Sequence, residues 1–157
     1  MNALIVDDDQ TIRLFLRRIL EGRLQCQVSE AENGKKALDV LQKFRPDFML
    51  MDISMPELSG DELLEILRKT PAYQNLPVIV LSAISDKEVI SKLLSLGISD
   101  YLLKPMEIRS TFDRIKMFMK KIESERRTNE LFNKSSSTSD VKGMVDSSVN
   151  TTTDNSI

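Results

Sequence analysis

Along the chain, short unbroken apolar runs alternate with longer segments in which apolar side chains recur every three or four positions. The runs are ALIV (3–6), CQVSEA (26–31), FMLM (48–51), VIVLSA (78–83) and YLLK (101–104). Four are nearly continuous, as expected of strands covered on both faces, whereas CQVSEA alternates, as an edge strand does. Helical periodicity occupies 10–21 (Ile12, Phe15, Leu16, Ile19, Leu20), 34–44 (Ala37, Leu38, Leu41), 59–68 (Leu63, Leu64, Leu67) and 86–96 (Val89, Ile90, Leu93, Leu94). A fifth helix begins after Pro105. Strand and helix alternate five times, which is the pattern of βα units building a parallel sheet.

The last helix repeats Ile108, Phe112, Ile115, Met119 and Ile122 at spacings of four and three. This covers about two heptads, too few for a coiled coil. It predicts a helix that docks on the sheet and frays near ESERRTNE (123–130). Eleven of the last 23 residues are Ser or Thr, with few apolar side chains, so that segment is expected to be disordered. The predicted organisation is a folded domain over 1–124, a frayed extension over 125–134 and a tail over 135–157. A linker to a further domain and a native disordered end have this same tail composition.

The chain of 157 residues is 41% hydrophobic and 29% charged, the composition of one globular domain. A net charge of −2 and an isoelectric point near 5.3 argue against direct DNA binding. The single cysteine, Cys26, cannot form an internal disulfide, and the first apolar run is too short for a signal peptide or a membrane span. A cytoplasmic location without membrane insertion is expected. Histidine is absent, which excludes His-ligated metals, His bases and Ser/His/Asp triads. Any chemistry falls to carboxylates, hydroxyls and lysines.

Polar residues gather where strands end. Asp7, Asp8 and Asp9 follow the first, Asp52 the third, Ser82 lies at the end of the fourth, and Lys104 with Pro105 closes the fifth. Right-handed crossovers place all carboxyl ends along one edge of a parallel sheet, and ligands bind where the strand order reverses. In a flavodoxin-like, doubly wound α/β fold of order 2-1-3-4-5, strands 1 and 3 are neighbours at that point, so Asp7, Asp8 and Asp52 share one crevice. Three carboxylates repel unless a cation intervenes. Oxygen ligation without His or Cys suits Mg²⁺, with Mn²⁺ an alternative. Lys104 adds positive charge and Ser82 a hydroxyl, so that metal, ammonium and hydroxyl would surround a phosphoryl group on Asp52. Asp9 reads better as the cap of the first helix than as a metal ligand.

The pieces LIVDDD (4–9), MDISMPELSG (51–60), VIVLSA (78–83) and DYLLKP (100–105), in this order and spacing, closely resemble the CheY-like receiver domain of two-component response regulators. The resemblance covers residues 2 to about 120. It implies Asp52 as phosphoacceptor, Asp7 and Asp8 as the metal-binding pair with the Ser54 backbone carbonyl as a further ligand, and Ser82 and Lys104 on the phosphoryl oxygens. It also implies Tyr101 as an aromatic whose rotamer follows activation, and a cis peptide before Pro105. The phosphoryl donor would be a sensor histidine kinase, a histidine phosphotransfer protein or acetyl phosphate. The implied output is the face of helix 4, strand 5 and helix 5, acting on a downstream protein or through a phosphorylation-dependent homodimer. Such a protein is no enzyme beyond its own phosphoryl transfer and autodephosphorylation.

Two rivals fail at named residues. A haloacid-dehalogenase-type phosphatase requires a second Asp where Ser54 stands, and a flavodoxin needs a Ser/Thr/Gly-rich turn where DDDQ would repel phosphate. A phosphorylation-independent binding module is the remaining alternative, against which the complete acidic set and Lys104 argue. Ile84, two residues after Ser82, is expected near the mouth of the site, where it would hinder the hydrolytic water.

Overall fold

A computed structural model describes the backbone of residues 1–139 and the side chains of residues 1–134. Five strands and five helices alternate: β1 (Asn2–Val6), α1 (Gln10–Gly22), β2 (Gln27–Ala31), α2 (Gly34–Leu41), β3 (Phe48–Asp52), α3 (Gly60–Lys69), β4 (Val78–Ser82), α4 (Lys87–Ser95), β5 (Asp100–Leu103) and α5 (Ile108–Ser139). The strands form one parallel sheet in the order β2-β1-β3-β4-β5. This is the expected fold, with boundaries from β1 through β5 moved by at most three residues; α2 is the most shortened of these, ending at Leu41.

The apolar runs become strands because every position on β3 and β4 is buried. Leu4 and Val6 of β1, Met49 and Met51 of β3, and Val78 and Val80 of β4 face a core shared with Leu41, Leu63, Leu64, Leu67 and Leu93 of the following helices. The intervening residues Ala3, Ile5, Phe48, Leu50, Ile79 and Leu81 are equally buried. Leu16, Ile19 and Leu20 form the buried stripe of α1, which packs on β1 and β2. Each large side chain so buried contributes about 1.5–3 kcal/mol.

Helix starts follow the sequence signals. Asp9 caps α1 by accepting the Thr11 amide at 2.7 Å, Asn33 caps α2 through the Lys36 amide at 2.8 Å, and Asp86 caps α4 through the Glu88 amide at 2.8 Å. At the end of α4, Gly97 takes φ +73°, with the Gly97 amide donating to Leu94 O and the Ile98 amide to Leu93 O. That Schellman closure needs a residue without a Cβ.

Two compact units are distinguished, Met1–Asp113 and the chain from Arg114. In the second, the helix runs on to Ser139, past the boundaries expected at 124 and 134. Residues 120–134 are rich in Lys, Arg and Glu and hold neither Pro nor Gly, so nothing in their composition stops a helix. The remainder of the predicted tail, 140–157, lies outside the described residues. Among the described residues no helix is long and apolar enough to cross a membrane.

Candidate functional site

The carboxyl edge of the sheet brings the strand-end residues together. Register pairs Val6 of β1 with Met51 of β3, so the residues that follow, Asp7 and Asp52, emerge side by side between two buried strands. Asp7, Asp52 and Ser82 are buried, and Asp8 is exposed. Asp7, Asp8 and Asp52 each offer an oxygen lying within 4.8 Å of the others. Lys104, from the end of β5, donates to Asp7 Oδ2 at 2.8 Å and stands 3.3 Å from Asp52 Oδ2. The Lys104–Pro105 peptide is cis, as the resemblance implies.

Each buried acid is held by a nearby amide. Asp7 Oδ1 accepts the Asp9 N–H at 2.9 Å, and Asp52 Oδ1 accepts the Ile53 N–H at 2.8 Å. Burial raises the Asp7 pKa above the ordinary carboxylate value and outweighs the hydrogen bond and charge of Lys104; the charge of Asp52 adds to the rise. Burial acts to lower the Lys104 pKa, but its hydrogen bond to Asp7 and the charges of Asp7 and Asp52 prevail and raise it. Asp9 titrates low, chiefly because it accepts the Thr11 amide, consistent with a helix cap outside the cluster.

Gly60 admits α3 to this edge. A Cβ on it would lie 2.1 Å from Asp52 O and 2.9 Å from Ile53 Cα, and its own amide donates to Ile53 O at 2.9 Å. Close backbone approach is therefore why glycine ends the MPELSG turn. Ser54 lies in this loop and is exposed. The turn also holds Glu57 at φ +65°, where its carboxylate accepts from Asn33 Nδ2 at 3.3 Å.

Ser82 Oγ accepts the Ile84 amide at 3.2 Å, while the Tyr101 hydroxyl donates to Ile84 O. One residue, Ile84, thus ties the two expected switch residues together through its amide and its carbonyl. The sequence assigned Ile84 only an apolar side chain at the mouth; it is half-buried and packs against the core on the α2–α4 side. Arg13 was also missed. It reads as a solvated helix charge, yet it donates to the carbonyls of Asp7 and Asp8. The available signal was its place four residues after the Asp9 cap, over the first turn of α1.

The donor set fits a hard divalent cation: three carboxylates, no nitrogen or sulfur ligand, and one acid, Asp8, open to solvent where water ligands enter. Asp7, Asp8 and Asp52 would hold it.

A doubly wound sheet carrying an acidic cluster and a lysine at its switch point is the architecture of a two-component receiver domain. The sequence matches the response regulator receiver domain family over residues 3–116, and the chain belongs to that family. It is 38% identical over 107 residues to an uncharacterised 14.6 kDa protein of Leptolyngbya boryana, covering 68% of this chain and 81% of that one. It is 37% identical over 113 residues to the sensor histidine kinase TmoS of Ectopseudomonas mendocina, covering 72% of this chain but 11% of the kinase. The crystal structure of a CheY-like receiver domain protein from Methanospirillum hungatei superposes with a TM-score of 0.71 at 28% identity, covering 79% of this chain and 97% of that one. Receiver domains of this family partner with histidine kinases.

Proposed function

We propose that the chain is a phosphorylation-activated response regulator whose phosphoacceptor is Asp52. The observation that carries this reading is the Lys104 ammonium set between two buried carboxylates, 2.8 Å from Asp7 and 3.3 Å from Asp52. The Asp52 carboxylate attacks the phosphorus of a phosphohistidine on a sensor histidine kinase or phosphotransfer protein. The O–P bond forms as the N–P bond breaks, and the imidazole leaves with a proton from solvent. Mg²⁺, when bound by Asp7, Asp8, Asp52 and the Ser54 carbonyl, supplies charge neutralisation at the transferring oxygens. Lys104 adds a second positive charge beside Asp7 and Asp52, and the Ile53 amide orients Asp52.

The new group brings a charge of roughly −1.5 to −2. Drawing the Ser82 hydroxyl towards it breaks the contact with the Ile84 amide and leaves Tyr101 as the remaining tie to the Ile84 backbone. The β4–α4 turn then settles differently, and α4, β5 and the start of α5 carry the change to a downstream protein or a second copy of the chain. Exposed Leu94 and Leu103 on α4 and β5 suit such contacts. The chain acts on no substrate beyond its own acyl phosphate, which water hydrolyses, and it works in the cytoplasm. The test is incubation with acetyl phosphate and Mg²⁺, followed by phosphate-affinity electrophoresis of wild type and Asp52→Asn. Wild type alone should shift; equal shifts, or none in wild type, refute the assignment.

A further inference from the structure

Behind the acidic cluster lies a second, cationic arrangement. Arg13 Nη1 donates to Asp7 O at 2.7 Å and reaches Asp8 O at 3.3 Å, so one guanidinium nitrogen spans the peptides carrying both acids. Its Nε stands 3.8 Å from Glu30 of β2, which is also 3.0 Å from Arg17. The Arg13 side chain is 15% exposed and that of Glu30 25%, so the pair is shielded from competing water. Glu30 sits opposite Ile5 in the sheet register, and the Asp7 amide donates to Ala31 O at 3.1 Å. The turn after β1 is therefore gripped from both sides, by the edge strand and by α1.

We infer that Arg13 is a positioning residue for the metal-binding pair, fixing the peptide planes of Asp7 and Asp8 so that their carboxylates converge before the cation arrives. This rests on the divalent-cation reading of the site. The charge of Arg13 alone opposes a cation nearby, and Glu30 offsets it; what remains is the geometric effect. The planar guanidinium holds this one nitrogen against both carbonyls in a fixed orientation, whereas a lysine ammonium is a point charge on a flexible stem. Residues that orient metal ligands without touching the ion typically account for about tenfold or more in affinity.

Arg13→Lys keeps the charge and removes the planar guanidinium, and Glu30→Gln leaves Arg13 in place without its counter-charge. Mg²⁺ is titrated into the full-length wild type and both variants by calorimetry, with unfolding temperatures measured in the absence of Mg²⁺. Arg13→Lys should weaken Mg²⁺ binding by about tenfold while its metal-free unfolding temperature stays within a few degrees of wild type, and Glu30→Gln should weaken it by a smaller factor. A Mg²⁺ affinity within twofold of wild type in both variants overturns the inference, whatever the unfolding temperatures, and assigns Arg13 to stability alone. Failure of the wild type itself to bind Mg²⁺ would instead overturn the divalent-cation reading, and this inference with it.

Discussion

Replacing Gly60 with alanine should destabilise the protein although it adds a better helix former at the start of a helix. The perturbation is one methyl group, 2.1 Å from Asp52 O and 2.9 Å from Ile53 Cα. Carbon contacts are comfortable at about 3.5 Å, so the new atom is more than an ångström too close to Asp52 O and about 0.6 Å too close to Ile53 Cα; both are backbone atoms, and no flexible side chain can yield. Overpacking of this kind costs about 1–3 kcal/mol. At about 4 °C per kcal/mol, the unfolding temperature should fall by roughly 4–12 °C. Gly22, the last residue of α1, is the control, since a Cβ there meets nothing within 4 Å. There the usual preference for alanine should act unopposed, gaining about 0.5–1 kcal/mol, or roughly 2–4 °C. Differential scanning calorimetry of the two variants decides. Shifts in the same direction would refute the claim that close approach to Asp52, rather than helix propensity, determines the residue at 60. Because the atom displaced belongs to Asp52, Gly60→Ala should also slow labelling by acetyl phosphate.

Arg68 donates to Leu96 O at 2.8 Å, Gly97 O at 2.9 Å and Leu76 O at 3.1 Å, joining the ends of α3 and α4; Arg68→Ala should cost about 1–3 kcal/mol in urea unfolding through the carbonyls left unpaired. Asp61 titrates low because the Ser59 hydroxyl binds it at 2.7 Å, and Glu62 because it accepts the Ser59 amide at 3.0 Å. Lowered carboxyl pKa values stabilise the fold above the unfolded values of 3.8 and 4.5, and that contribution disappears as pH falls through the folded values. Ser59→Ala removes the hydroxyl from Asp61 but leaves the backbone amide on Glu62, so its destabilisation, measured by denaturant titration, should shrink as pH falls below about 4 through the folded Asp61 value; a constant gap would contradict the Ser59–Asp61 pairing. Asp9→Asn preserves a helix cap, so Mg²⁺ affinity should stay within about twofold by calorimetry, where a tenfold loss would make Asp9 a metal ligand. Ile84→Asn should speed loss of the phosphoryl group from the labelled protein, and an unchanged rate would show that its side chain does not restrain the hydrolytic water.

Much of this molecule is legible in the order of its residues because the relevant physics is local. The continuous apolar runs at Ala3–Val6, Phe48–Met51 and Val78–Leu81 can be satisfied only by burial on both faces, and the alternation from Cys26 to Ala31 marks an edge. Asp9 announces the start of α1 because a side chain two residues from an amide needs no tertiary help to reach it. The end of the last helix was not legible in this way. Lys, Arg and Glu suit solvent and helix alike, so the charged stretch from Glu123 read as fraying where the backbone continues as helix to Ser139.

The candidate site divides along the same line. Strand-end acids, a following lysine and the reversal of strand order were sufficient to bring Asp7, Asp8, Asp52 and Lys104 to one crevice. Which backbone groups hold them was not written in any pattern. The grip of Arg13 on the carbonyls of Asp7 and Asp8, the Ile84 backbone shared by Ser82 and Tyr101, and the passage of Gly60 beside Asp52 join residues 2 to 17 positions apart. By itself, the sequence determined the alternation of elements, the edge at which chemistry gathers and the residue types available to it, since these follow from periodicity and charge. Only the tertiary structure decided which carbonyl, amide or methyl-sized space each of those residues meets, because such contacts depend on how the packed sheet and helices approach one another to within an ångström.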